Sequence, residues 1–94
     1  MNLIVLPQAS KELQDAVEFY EEEQAGLGER LWNELDCHLR WIAENPTLPR
    51  LRLGDYRRVN LEVFPYYIAY AIRGDAVVIL AISHAARMPE HWMQ

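Results

Sequence analysis

Residues 57–84, RRVNLEVFPYYIAYAIRGDAVVILAISH, decide the fold. Val59, Leu61 and Val63 alternate with Arg58, Asn60 and Glu62, the period of two that puts one apolar row on one face of a strand. Phe64-Pro65 breaks the run. Tyr66, Ile68, Tyr70 and Ile72 then alternate with Tyr67, Ala69, Ala71 and Arg73, and Gly74-Asp75 is a two-residue link of the Gly-first kind that closes hairpins. Residues 76–83 are apolar on both sides, as in a central strand covered on two faces, and the run stops at His84. The spacing predicts a three-strand antiparallel meander.

Toward the N-terminus, Leu3-Ile4-Val5-Leu6 is a short branched run ended by Pro7 and reads as a buried strand. Ala9, Leu13, Ala16, Val17 and Tyr20 recur at helical spacing, with Pro7 tolerated at the start and Gly26 as a left-handed stop. Lys11, Glu12, Asp15, Glu18, Glu22 and Glu23 fall mostly on the other side. The run Glu21-Glu22-Glu23 reads as a solvated helix end that opposes the macrodipole. Leu27, Leu31, Leu35, Leu39 and Ile42 mark a second helix that Asn45-Pro46 ends, so the two helices turn back on each other as a hairpin. Trp32 and Trp41 lie off this stripe and give the second helix a further, partly apolar flank, suited to the sheet or to a partner. Residues 85–94 are expected to form no more than a turn or terminal flap. The order β-α-α-β-β-β is α+β, a helical hairpin packed on one face of a small, mostly antiparallel sheet whose other face the chain leaves uncovered.

Ninety-four residues, 51% of them hydrophobic and 24% charged, suffice for one domain over 1–94. The single cysteine, Cys37, closes no disulfide within the chain, and Cys37 and His38, adjacent on a helix, point about 100° apart and cannot share a metal ion. Met1-Asn2-Leu3-Ile4-Val5-Leu6-Pro7 has no basic flank and too short an apolar run for a signal peptide. No apolar stretch reaches the roughly 18 residues of a membrane span. A cytoplasmic protein that touches no membrane is expected. With no phosphate-binding glycine loop, nucleophile elbow or metal motif, neither a cofactor nor a metal is expected, and His91 reads as a surface residue of the tail.

The chain has 9 Lys+Arg and 14 Asp+Glu, a net charge of −5, which argues against indiscriminate nucleic-acid binding. The charge is unevenly divided. Residues 1–47 carry Lys11, Arg30 and Arg40 against ten acids, a balance of −7, whereas residues 48–94 carry six arginines against Asp55, Glu62, Asp75 and Glu90, a balance of +2.

One constellation could carry chemistry. Arg57 and Arg58 open the meander, Tyr66, Tyr67 and Tyr70 lie on its second strand, and His84 and Arg87 follow its last. Antiparallel pairing could gather arginines, a tyrosine hydroxyl and an imidazole, the equipment for holding a phosphate and moving a proton at an RNA 2′-hydroxyl. The structural alternative has Arg57 and Arg87 paired with acids such as Glu62 and Glu90, the tyrosines in core or interface, and His84 satisfied at a strand end.

Several of these residues fall in a recognisable order. Ala9 through Tyr20 followed by Gly26-Leu27-Gly28 and Leu31, Ile42 with Asn45-Pro46, Tyr56-Arg57-Arg58, Phe64-Pro65-Tyr66, Ile68 with Tyr70, and Ala81-Ile82 with His84, Arg87, Pro89 and Trp92 together resemble the RelE/ParE toxin superfamily. The closest likeness is to its ParE-type, plasmid stabilisation system branch, and it runs over nearly the whole chain. Its most specific pieces are Phe64-Pro65-Tyr66 and the terminal His84, Arg87, Pro89 and Trp92. The resemblance implies a small toxin that a cognate antitoxin wraps and neutralises, forming an oligomer of toxin with antitoxin.

RelE-like members cut messenger RNA on the ribosome, whereas ParE-like members inhibit DNA gyrase and lack the nuclease residues. Arg57 or Arg58 matches the superfamily's meander arginine, and His84 and Arg87 match its C-terminal pair. The sole lysine is Lys11 and no tyrosine follows Tyr70, a set incomplete for cleavage, and an acidic chain fits ribosomal RNA poorly. The resemblance therefore implies a gyrase-binding toxin that is not an enzyme. The alternatives are a ribosome-dependent endoribonuclease using His84, Arg57, Arg58 and Arg87, and an inactive relic that binds only antitoxin. The surface for target or antitoxin is expected at Arg57, Arg58, Tyr66, Tyr70, His84, Arg87 and Trp92, with Trp32 and Trp41 on the helical side offering a groove to an amphipathic helix.

Overall fold

The computed structural model describes residues 1–86. Strand β1 (Asn2–Val5) leads into helices α1 (Pro7–Glu23) and α2 (Leu27–Glu44), followed by strands β2 (Arg57–Asn60), β3 (Tyr66–Arg73) and β4 (Ala76–His84). The sheet order is β1-β4-β3-β2. β2, β3 and β4 form the antiparallel meander, and β1 joins β4 in parallel, which the long connection through both helices, β2 and β3 allows. The α+β arrangement expected from the periodicities is therefore present.

β1 corrects the reading of residues 3–6 as a buried strand. Among the described residues it lies at the sheet edge with β4 as its one partner, and Ile4 and Val5 stay 49% and 40% exposed. A four-residue apolar run has the same composition at an edge as in the middle of a sheet, so the pattern could not place it. The main core lies between the helices and the sheet: Ala9, Ala16, Leu31, Leu35 and Ile42 meet Ile68, Tyr70, Val77, Ile79 and Ile82.

The far face is less bare than the sequence suggested. Tyr56, from the α2–β2 connection, packs there with Tyr67, Ala69 and Ala81, and Leu80 joins them. A β-bulge makes this possible. Ala69 pairs with Ala81 and Tyr70 with Ile79, which leaves Leu80 without a partner; Leu80 and Ala81 then both serve the far face while Ile79 and Ile82 both serve the helical one.

The helical hairpin is tight. A Cβ on Gly28 would lie 2.6 Å from the carbonyl oxygen of Val17, so only glycine allows α2 to approach α1 this closely. Glu21, read from sequence as part of a solvated acidic end, instead accepts the N–H of Gly26 at 2.9 Å and of Gly28 at 3.0 Å. It satisfies amides at the start of α2 and places negative charge at that helix's positive end.

β2 is also shorter than its alternation implied. It ends at Asn60, and Val63 is 70% exposed. The following residues are held by a carboxylate in place of a strand: Glu34 accepts the N–H of Glu62 at 2.9 Å, Val63 at 3.0 Å and Phe64 at 3.2 Å. Burial raises the Glu34 carboxyl, but the amides of Val63, Phe64 and Glu62 outweigh it, with His38 adding to them, and hold the group below the usual glutamate range. Phe64-Pro65 thus follows a loop and not a longer strand.

Candidate functional site

Strand register determines which of the expected residues meet. Arg57 stands opposite Tyr70, Arg58 opposite Ala69 and Asn60 opposite Tyr67, while Tyr66 stands opposite His84. Direct partners share a face, so Arg57 sits on the helical side with Tyr70 and Arg58 on the far side with Ala69. Tyr70 is opposite Ile79, five residues before His84, which separates the Arg57 and His84 positions by about 15 Å along the sheet. The expected single constellation is resolved into three places.

At the first, Arg57 Nη1 donates to the carbonyls of Pro49 at 2.8 Å and Thr47 at 3.3 Å. The hydroxyl of Tyr70, itself fully buried, donates to the carbonyl of Pro46 at 2.8 Å. Burial raises the Tyr70 hydroxyl and the nearby Arg57 charge offsets part of that. Both side chains anchor residues 46–49. Arg57 does not pair with Glu62, as the structural alternative had supposed, but with backbone oxygens.

At the second place, on the far face, the Arg58 guanidinium lies 3.9 Å from the centre of the Tyr67 ring and Nε donates to Asn60 Oδ1 at 2.9 Å. A guanidinium held over an aromatic ring is fixed in place and keeps its Nη donors for a carboxylate or phosphate.

The third place is the Tyr66–His84 end. The two rings meet edge to face with centroids 5.1 Å apart, and Tyr66 continues to Tyr20 at 6.2 Å and Tyr20 to Phe64 at 4.9 Å. Burial, with Tyr20 beside it, raises the Tyr66 hydroxyl. His84 Nδ1 accepts the N–H of Ala86 at 3.0 Å, so the proton of the neutral ring is on Nε2. With Nδ1 engaged by that amide and the proton on Nε2, neither nitrogen of the neutral ring is left free to act as a base. The adjoining hollow, about 280 Å³, is lined by Glu12, Asp15, Phe19, Tyr66 and His84 among others; its charges are acidic, unsuited to a phosphate. Arg87 and Trp92 lie outside the described residues, so the site residues expected there carry no structural statement.

Trp32 and Trp41 are 44% and 40% exposed. They do not form one flank. Nine residues on a helix is about two and a half turns, so the two indoles stand on opposite sides of the buried leucine stripe. Trp41 borders a hollow of about 340 Å³ with Cys37, His38, Val59, Asn60 and Glu62.

Sequence reasoning missed two features. Glu12 accepts the N–H of Ile82 at 3.1 Å and the hydroxyl of Ser83 at 3.0 Å, covering the edge of β4 beyond Ile79, where β1 ends; no local pattern marks such a contact seventy residues apart. The other is the loop bearing Leu48, Leu51 and Leu53, which are 69%, 52% and 93% exposed. Its signal was available, in leucines interleaved with Arg50 and Arg52 where a connection is ordinarily polar. Among the described residues no group of three or more His, Cys, Asp or Glu gathers as a metal site, and no helix is long and apolar enough to cross a membrane.

Residues 3–89 match the family model of the ParE toxin of type II toxin–antitoxin systems. Among solved structures, the chromosomal ParDE toxin–antitoxin system from P. aeruginosa superposes with a TM-score of 0.69 at 18% identity, over 89% of this chain and 95% of that one. The isolated E. coli RelE toxin superposes with a TM-score of 0.68, also at 18% identity, over 94% of this chain and 87% of that one. At that identity both likenesses concern the fold. No curated protein sequence matches the chain.

Proposed function

The chain belongs to the family of ParE toxins of type II toxin–antitoxin systems, and we propose that it acts by binding DNA gyrase and inhibiting it, without catalysing a reaction of its own. Its membership implies an antitoxin as partner. In this reading the pair serves plasmid stabilisation in the cytoplasm, where gyrase works.

The observation that supports a binding toxin over a nuclease is the dispersal of the meander residues. RNA cleavage needs a base, an acid and phosphate-holding cations around one reacting centre. Here Arg57 is committed to the carbonyls of residues 46–49, Arg58 lies on the far face, and His84 stands about 15 Å away along the sheet beside Glu12 and Asp15. For antitoxin we assign the far face around Arg58 and Tyr67 and the hollow beside Trp41, which offer an oriented cation and a half-exposed aromatic, both favoured at interfaces.

Plasmid relaxation with purified gyrase tests the proposal. Toxin should block supercoiling and antitoxin should restore it. Intact gyrase activity at micromolar toxin, together with new cleavage sites on messenger RNA in a translation extract, would replace this reading with the ribosome-dependent endoribonuclease.

A further inference from the structure

The α2–β2 connection exposes its apolar side chains yet is held in shape. Leu53 stands at the tip of a β-turn in which Asp55 N–H donates to the carbonyl of Arg52 at 3.1 Å, and Arg52 N–H donates to the carbonyl of Tyr56 at 2.7 Å. Gly54, third in that turn, has φ +92°, the value that a type II turn demands and that glycine supplies without steric cost. Asp55 follows with φ +61°, an uncommon conformation for a residue with a Cβ. At the other end Arg57 and Tyr70 bind the carbonyls of Pro49, Thr47 and Pro46, and Tyr56 is fixed in the far-face cluster. Three large side chains and a left-handed pair thus fix a segment that presents Leu48, Leu51 and Leu53 to water.

Exposed leucine costs solubility and contributes nothing to the core, whereas a preorganised apolar projection lowers the entropic cost of binding. We propose that residues 48–53 are the projection by which this toxin docks on its protein target, entering an apolar pocket bordered by carboxylates. The charge pattern sets the border: Arg50 and Arg52 alternate with the leucines, and neither forms a salt bridge among the described residues, so their complement is acidic. The leucines set the interior and decide against nucleic acid. Bases are gripped by stacking on aromatic rings and phosphates by cations, and a leucine with 93% exposure serves neither. The inference rests on the reading of gyrase as target and names the toxin's side of that contact.

The test compares wild-type toxin with the double variant Leu51→Glu/Leu53→Glu and with Leu53→Met in gyrase supercoiling, in antitoxin binding and in thermal unfolding. The double variant should inhibit at least tenfold more weakly, with an unfolding midpoint and antitoxin affinity close to wild type, and Leu53→Met should inhibit normally. Undiminished inhibition by the double variant would overturn the docking assignment and leave the gyrase reading standing. Parallel loss of antitoxin binding would also overturn it, making the projection an antitoxin contact. Failure of the wild type itself to inhibit gyrase would remove the functional reading and the docking assignment together.

Discussion

The carboxylate of Glu34 accepts the backbone N–H of Val63 at 3.0 Å, joining the middle of α2 to the loop between β2 and β3. Two neighbouring amides share that carboxylate. Removing it leaves three donors to water or to nothing, so Glu34→Ala should cost about 1–3 kcal/mol in urea unfolding. The pH dependence has a definite sign. A carboxyl lowered in the folded state contributes stability that is fully present above its unfolded value, near pH 4.3, and is lost as pH falls through the folded value. Wild type should therefore lose stability as pH falls below the unfolded value and through the lower folded one, and Glu34→Gln should lose less over the same descent.

Gly28→Ala should be destabilising although alanine is the better helix former. An ordinary helical site gains roughly 1 kcal/mol from that change, but here the new methyl meets the Val17 carbonyl at 2.6 Å. Forcing the hairpin apart costs about 1–3 kcal/mol. A net gain measured by chemical denaturation would show that the two helices are not packed this closely.

The adjacent arginines should separate cleanly. Arg57→Ala leaves the carbonyls of Pro49 and Thr47 without their donor and should lower stability by about 1–2 kcal/mol. Arg58→Ala, which loses a ring contact and one bond to Asn60, should stay within about 1 kcal/mol of wild type. Its effect should appear in antitoxin binding measured by calorimetry. Equal destabilisation by the two would contradict their placement on opposite faces.

His84 should be dispensable as an acid or base. His84→Phe keeps a ring against Tyr66 and loses both nitrogens. Growth arrest on induction should persist within a few-fold, where removal of a general acid or base would cost about 10²–10⁴-fold.

The order of elements was legible because each rested on a repeated period. Leu31, Leu35, Leu39 and Ile42 fall at helical spacing and are all buried, and Gly74, with φ +62°, closes the β3–β4 hairpin as its place in the sequence required. Partnership across the fold was not legible. Ile4 and Val5 look alike at an edge or a centre, Glu21 and Glu34 find their amides through the meeting of elements, and the bulge at Leu80 depends on how β3 and β4 are paired. The candidate site suffered most, since sequence proximity of Arg57 and Arg58 concealed that successive strand residues face opposite ways. Trp32 and Trp41 were found as exposed aromatics, but their half-turn offset follows from counting residues and was available beforehand.

Gyrase inhibition by the purified toxin is the measurement that bears most directly on the account. Supercoiling of relaxed plasmid should fall with toxin concentration in the micromolar range or below, recover on addition of antitoxin, and proceed without any cleavage of messenger RNA in a translation extract. Full supercoiling at those concentrations, from a toxin that still arrests growth, would contradict it.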